Sequence, residues 1–481
     1  MIPRPYFGTR ASFCTRSVAP WGAIVFLAHC TITVRAADAQ DINSQLRFTP
    51  QFTMPEAREE RERERAEFYS FGLPFTELEV NANYLGRAGL TEDSTRLAPF
   101  AKGNFLPSAI PVPGQPFFGT HWRSNLQGNG NAVSLNVVGD SNGERSFSGY
   151  AQIITDSAAI PFSSSTPGGT GAASVTFREA FAQYNRLSVG VIETAFADPG
   201  AVPETLDLAG PNARTTVQAA GLGSGQGRLS YDLFDGRAQT GFLGVLSIEQ
   251  PSPQIAVVPT SGAFARYPDF IPSIQYGSGE KVCDKYEEIW HVKFGSVFRS
   301  LGLENSTNTF RQTVFGWGTT LSGSFRFIVN ENLVVRDRFA FGVTYGEGIS
   351  HYITDLNTAP DTNDAVVSTG NVLTPLPVLA WYCGYTHNWS DSLRSTVSYS
   401  TVSLDSIVPA GATVSPYRVG NYVAANFLFH DIFYTKNVVE GKPPVPHNFY
   451  TGLEYLFGHK ETLDGVTGDA HRVMWVTAVS K

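Results

Sequence analysis

The apolar residues of this chain recur with a period of two. From Leu333 to Tyr345, the residues Leu333, Val335, Phe339, Phe341, Val343 and Tyr345 share one face of an extended backbone, opposed by Arg336, Arg338, Ala340, Gly342 and Thr344. Successive side chains in a strand point to opposite faces, so the stretch is a strand with one apolar side and one polar, small side. The alternation returns in Glu77 to Tyr84, Ser324 to Val329, Leu379 to His387, Arg394 to Val402, Arg418 to His430, Asn448 to Gly458 and His471 to Val479. It is fainter in Arg145 to Asp156, Val175 to Tyr184 and His291 to Arg299. Runs of about ten residues exceed the five or six usual in soluble sandwiches and suit a tilted strand crossing an outer membrane.

Connections point the same way. Asn330 to Asn332 and Trp389 to Ser392 read as short turns on one side of a membrane, with a long polar loop from Gly346 to Pro377 on the other. Trp381, Tyr385 and Trp389 crowd toward the short-turn side, as an aromatic girdle does. Only 16% of residues are charged and 46 are Gly, yet no run of about 18 apolar residues follows the first forty positions, which removes transmembrane helices. About 440 residues at roughly 27 per strand and connection give about sixteen strands. The expected fold is therefore all-β: a porin-like, transmembrane, antiparallel β-barrel over residues 74–481.

Residues 1–39 read as a secretory signal peptide, with Arg4, Arg10 and Arg16 before an apolar stretch from Ala19 to Val34 and an Ala37, Asp38, Ala39 cleavage site. Cleavage leaves Cys283 and Cys383, too few for a disulfide scaffold. Residues 40–73 form a polar, partly helical leader in which Glu59 and Arg63 fall four apart, with no apolar seam for a coiled coil.

Strand phase assigns the chemistry. With the apolar face toward lipid, Lys293, Arg299, Arg326, Arg336, Arg338, Arg394, Arg418 and Arg472 face the lumen, against few acids, chiefly Glu77, Glu79 and Glu454. Rings of Arg or Lys select anions in a narrow pore; the alternative is that each Arg braces the wall by pairing with a loop carboxylate. Glu179 and Asp337 fall on apolar faces, which a subunit contact or a β-bulge would explain, and the contact is preferred for Glu179. The Pro-rich segment Asp198 to Arg214 is the candidate constriction loop, with Glu204, Asp207 and Arg214 as lining residues; an external loop is the alternative. H-E-x-x-H, C-x-x-C, G-x-S-x-G and phosphate-loop motifs are missing, and the nine His show no metal-ligand spacing. No catalytic residue, cofactor, metal or nucleic-acid partner is expected.

The second half resembles the DcaP-like trimeric porins of bacterial outer membranes. The resemblance rests on Tyr345 to Gly348 with Tyr352 and Asp355; on His387, Trp389, Ser390, Asp391, Leu393, Arg394, Ser395 and Tyr399; and on Gly452 to Gly458 with Asp464, Gly465, Gly468, Asp469 and Arg472. Upstream, Ile110 to Pro113 and Phe196, Asp198, Pro203, Glu204, Asp207, Gly210 and Pro211 look similar. It implies a sixteen-stranded barrel, a homotrimer in outer-membrane lipid, and diffusion of small organic anions such as dicarboxylates. The chain departs from the pattern in lacking the N-terminal coiled coil and in ending Val479, Ser480, Lys481, not on an aromatic residue. The competing classes are a secreted or surface-attached all-β binding protein and a barrel-embedded hydrolase.

Overall fold

The computed structural model describes residues 77–480, apart from 102, 120–121, 128–130, 142–143, 157–159, 162–173, 218–225, 236–239, 257–260, 283–284, 306–309, 328–335, 358, 368–371, 408–415 and 436–444. The signal peptide, the leader, Cys283 and the 330–332 turn lie outside the described residues, as do the side chains of Glu77 and Glu79.

Sixteen long strands among the described residues make one antiparallel sheet that closes on itself. In chain order they are β1 (Glu77–Asp93), β2 (Asn131–Ser141), β3 (Glu144–Asp156), β4 (Ser174–Tyr184), β5 (Leu187–Ile192), β6 (Gln226–Asp235), β7 (Thr240–Glu249) and β8 (Asp269–Val282). The second half contributes β9 (Lys285–Asn305), β10 (Arg311–Phe327), β11 (Asp337–Glu347), β12 (Pro377–Asn388), β13 (Leu393–Leu404), β14 (Tyr417–Thr435), β15 (Val445–Thr462) and β16 (Thr467–Ser480). Each pairs with its neighbour in sequence, and β1 joins β16 from Leu85 opposite Ser480 to Asp93 opposite Arg472. The other edge of β1 pairs with β2, so no edge is left at the seam.

Alternation explains why these residues choose strands, and burial shows which way they face. On β11, Val343 and Tyr345 are 45% and 46% exposed while inward Ala340 and Thr344 are each 2% exposed. Large apolar groups are bare outside and small or polar groups are enclosed, the reverse of a soluble protein. Rings cross the outer face in rows. Phe242, Tyr276, Trp290, Phe325 and Phe341 follow one another at 4.5 to 6.4 Å between centroids. A second row runs Phe270, Phe298, Phe315, at 6.5 and 6.2 Å. The rows cross β9 at Trp290 and Phe298, about 20 Å apart along the membrane normal at roughly 3.3 Å per residue and about 40° of tilt, close to an apolar band of about 25 Å.

Turns alternate short and long. Asn185 and Arg186 alone join β4 to β5, with Asn185 in the left-handed region at φ 52°, where Asn is tolerated. Residues 389–392 join β12 to β13 on the same side. Long connections on the other side include 94–130, 193–225 and 348–376.

Two sequence expectations are corrected by register. A bulge between Gln152 and Ile153 of β3 and the facing β4 turns Glu179 inward, opposite Gln152, where it is buried; no subunit contact is needed. A second irregularity at Tyr417/Val419 leaves Arg418 as the extra residue of β14, and its side chain meets outward Glu461 at 3.0 Å. Arg418 therefore does not face the lumen. Asp337 does lie in the outward phase, at the short-turn end of β11, where Tyr385, His387 Nδ1 (2.7 Å) and the Asn388 N–H (2.9 Å) surround its carboxylate. Hydrogen bonding to neighbouring polar groups at the interface replaces the water it would otherwise need.

The outward phase of β15 yields a direct test. Leu453 is 54% exposed near the middle of that strand, so Leu453→Arg should cost about 2–4 kcal/mol, as arginine does at a bilayer midplane. Reversible urea unfolding of the barrel in lipid vesicles checks this, and a cost near zero would place Leu453 out of contact with hydrocarbon.

Candidate functional site

Three long connections turn into the barrel and fill its far half. Phe105 and Ile110 of segment 94–119 pack on inward Tyr422, Leu456 and Ala470. Phe196 of segment 193–217 and Ile349, Tyr352 and Ile353 of segment 348–367 pack on inward Ile271, Val297, Tyr382 and Val402. The lumen is thus partly apolar, where alternation alone led us to expect a uniformly polar wall. Inward glycines make the room. A Cβ at Gly384 would stand 2.5 Å from Pro203 Cβ, and one at Gly452 would stand 2.9 Å from Leu206 Cδ1.

Segment 193–217 is fastened along most of its length. The Ala195 N–H donates to Glu249 on β7 at 2.8 Å. Asp198 reaches His291 Nε2 at 3.0 Å and accepts from Ser322 Oγ at 2.5 Å. Lys293 donates to the Ala197 carbonyl and Arg338 to that of Gly200. Arg394 grips Glu204 through two nitrogens, at 2.6 and 2.5 Å. The backbone N–H groups of Leu206 and Asp207 then donate to the two oxygens of Glu454, at 3.0 and 2.7 Å. Finally the segment zips to its neighbour: Thr354 N–H to Arg214 carbonyl at 3.0 Å, Thr216 N–H to Tyr352 carbonyl at 2.9 Å.

The eight expected lumen cations therefore divide. Arg299 is fully enclosed, with Asp269 at 2.9 Å and Asp364 of segment 348–367 at 3.0 Å. Arg472 is 2% exposed and bound to Asp93 across the β1–β16 seam. Arg299, Arg472 and Arg394 are thus ion-paired braces, and with Arg299 and Arg472 enclosed neither reaches a passing solute. Arg418 is outside. Lys293 and Arg338 support the inward segment through carbonyls while remaining half-buried. Arg336 precedes β11, its carbonyl held by Asn388 at 2.7 Å. Arg326 stands directly across from Arg338 and makes no hydrogen bond or ion pair among the described residues. Inward acids are also more numerous than strand phase alone counted, since Asp93, Glu179, Glu249 and Asp269 all face in and are buried.

Of the three lining candidates, Glu204 is neutralised by Arg394 and Asp207 is 4% exposed, so neither borders a passage. Arg214 does. It lines a gap between the inward segment and β4 together with Arg178, Glu193, Pro199, Val202 and Thr215. Arg178 and Glu193 escaped the sequence reading because Arg178 is the bulge residue of β4 and Glu193 lies just beyond β5, where alternation carries no phase. The inward glycines were the available signal for the buried segments.

His291 touches Asp198, Glu288 Oε1 at 2.5 Å and Ser324 Oγ at 3.3 Å. Ser, His and Asp side chains in contact invite comparison with a hydrolase. Here the ring is 1% exposed with a carboxylate on each nitrogen, an arrangement that fastens the segment and leaves neither nitrogen free to activate the serine. Burial alone would raise the Asp198 carboxyl, but His291 and Lys293 hold it below the usual carboxylate range.

No protein-family model and no characterised protein sequence matches the chain. The solved outer membrane channel DcaP of Acinetobacter baumannii superposes with a TM-score of 0.60 at 16% identity, over 84% of this chain and 97% of that one. The fold is that of an outer-membrane porin. An anion-selective porin from Comamonas acidovorans matches at TM-score 0.44 and 11% identity, over 84% and 99% of the two chains. The trimer form of OmpT from Vibrio cholerae matches at 0.42 and 9%, over the same shares. Both are too distant to add to the DcaP match, which agrees with the fold implied by the sequence resemblance and with an outer-membrane location for the apolar-faced barrel.

Asp207 ties the inward segment to pH. Burial raises its carboxyl to about 6, against the opposing pull of Arg472 and Arg87. The folded state thus holds this proton more tightly than an unfolded Asp near 3.9, so its contribution is most favourable below about pH 4 and is lost as pH rises through about 6, by about 3 kcal/mol. Asp207→Asn should remove that slope. Urea unfolding at pH 4 and pH 8 checks it, with the wild type losing more stability than the variant between the two.

Proposed function

We propose that the chain is a passive outer-membrane channel, without catalysis, that favours small anionic solutes. The carrying observation is the Arg326–Arg338 cross-strand pair, in which like charges stand opposite each other and Arg326 has no partner among the described residues. Like charges at directly paired positions repel, and in a confined passage their fields act together on one ion. Half-buried Lys293, two strands from Arg338, adds to the same side. Dicarboxylates fit this reading because two cations can engage two carboxylates, and export through the 1–39 signal and assembly as a homotrimer accompany it by resemblance. The enclosed His291 argues against the hydrolase alternative, and the bare apolar outer face argues against a secreted binding protein.

A planar bilayer under a KCl gradient tests the reading. Wild-type protein should give a reversal potential of the sign for chloride passing faster than potassium. Arg326→Glu should move it toward cation preference with folding intact, since lumen substitutions tune selectivity without meeting lipid. The shift should shrink in concentrated salt as screening shortens to about 3 Å at 1 M. Cation preference in the wild type would overturn the proposal, and crosslinking that traps only monomers would remove the trimer.

A further inference from the structure

Three acids and two arginines are shut together where the inward segment 193–217 meets the wall. Arg87 and Asp93 come from β1, Glu454 from β15, Arg472 from β16 and Asp207 from the segment, and all five are buried. With every group ionised the cluster carries one uncompensated negative charge, which a dry interior strongly disfavours. One proton makes it neutral. Hydrogen bonding says where that proton sits. Glu454 takes N–H donors on both oxygens, from Leu206 at 3.0 Å and Asn426 Nδ2 at 3.2 Å on one and from Asp207 at 2.7 Å on the other, as an ionised carboxylate does. Arg472 is committed to Asp93 and the Gly103 carbonyl, and Arg87 donates to the Leu206 carbonyl. Asp207 accepts the Phe105 N–H on Oδ1 at 3.3 Å, while its Oδ2 is buried with no donor. The proton belongs on that oxygen.

Anchors stand on either side of the cluster. Arg394 grips Glu204 upstream, and downstream Asn212 donates to Asp355 at 3.0 Å and accepts from Ser400 Oγ at 2.6 Å. Residues 205–211 between them can leave the wall without freeing the rest of the segment. We propose that Asp207 is a proton-operated clasp: protonated, it lets residues 205–211 lie against the wall, and once ionised beside Glu454 it drives them into the lumen and interrupts conduction. The charged and titratable groups around it are Arg87 and Asp93 of β1, Tyr422 of β14, Glu454 of β15, Arg472 of β16, and Glu204 and Arg214 on its own segment. Asp93 and Glu204 are already paired with arginines, so Glu454 is the carboxylate left to oppose a charge on Asp207. Like charges that close repel strongly where water is excluded. The clasp rests on the channel reading above and adds a control to it.

Planar-bilayer recording of purified full-length protein in symmetric KCl, from pH 4 to pH 8, tests it. Burial holds the Asp207 carboxyl at about 6, against about 3.9 once wetted. Closures of the wild type should therefore become about tenfold more frequent for each pH unit between about 4 and 6 and level off above. Asp207→Asn and Glu454→Gln each leave two acids against two arginines, neutral without a proton, so both should close at a low rate that is the same at pH 4 and pH 8. Deuterium exchange of the Leu206 and Asp207 amides in the wild type, corrected for its intrinsic pH dependence, should accelerate over the same range. Wild-type closures that ignore pH, a slope that survives in either variant, or unchanged protection of these amides overturns the clasp and leaves the channel standing. Wild-type protein that never conducts overturns the channel reading itself.

Discussion

Hydrocarbon offers no partner for a backbone N–H or C=O, and this constraint governs everything else in the molecule. A sheet can cross such a medium only if every strand is paired on both edges. The β1–β16 seam meets that demand, and the Arg472–Asp93 pair sits at its far end, where the last strand meets the first. Closure also reverses the usual burial pattern. Phe294, Leu453 and Trp475 are exposed because lipid is their solvent, while Ser322, Thr344 and Ala340 are enclosed.

A barrel of sixteen strands encloses more space than its own side chains fill. Here the space is occupied by three inward segments, and the bonds that hold them are largely ionic. Arg299 with Asp269 and Asp364, Arg394 with Glu204, and His291 with Asp198 each join a wall strand to a loop. A buried pair adds little net stability compared with apolar packing, but breaking one side leaves an uncompensated charge, so these contacts fix where each loop lies. Most of the wall's positive charge is consumed in that way. Among the described residues, inward Arg326 stands apart from that pattern, making no hydrogen bond or ion pair to a loop.

Strand phase was legible wherever alternation ran unbroken. On β10, β11, β13 and β16 it put Arg326, Arg338, Arg394 and Arg472 inward, which is where they lie. It failed at bulges, because one inserted residue flips every later side chain to the opposite face. Arg418 and Glu179 were misread for that reason. It also could not distinguish a free inward arginine from a paired one, since the partners Asp269, Asp364 and Glu204 lie at least 30 residues away in sequence, as for Arg299 and Asp269.

The sequence by itself determined that this chain is a membrane barrel and which face of most strands meets lipid, because a two-residue period is a local property that survives without knowledge of any contact. Only the tertiary structure decided which charges are spent on holding loops. That outcome depends on how the three inward segments pack against distant strands, on the room left by Gly384 and Gly452, and on the bulge at Arg178. Each is a long-range coincidence of position, and no spacing within a strand records it.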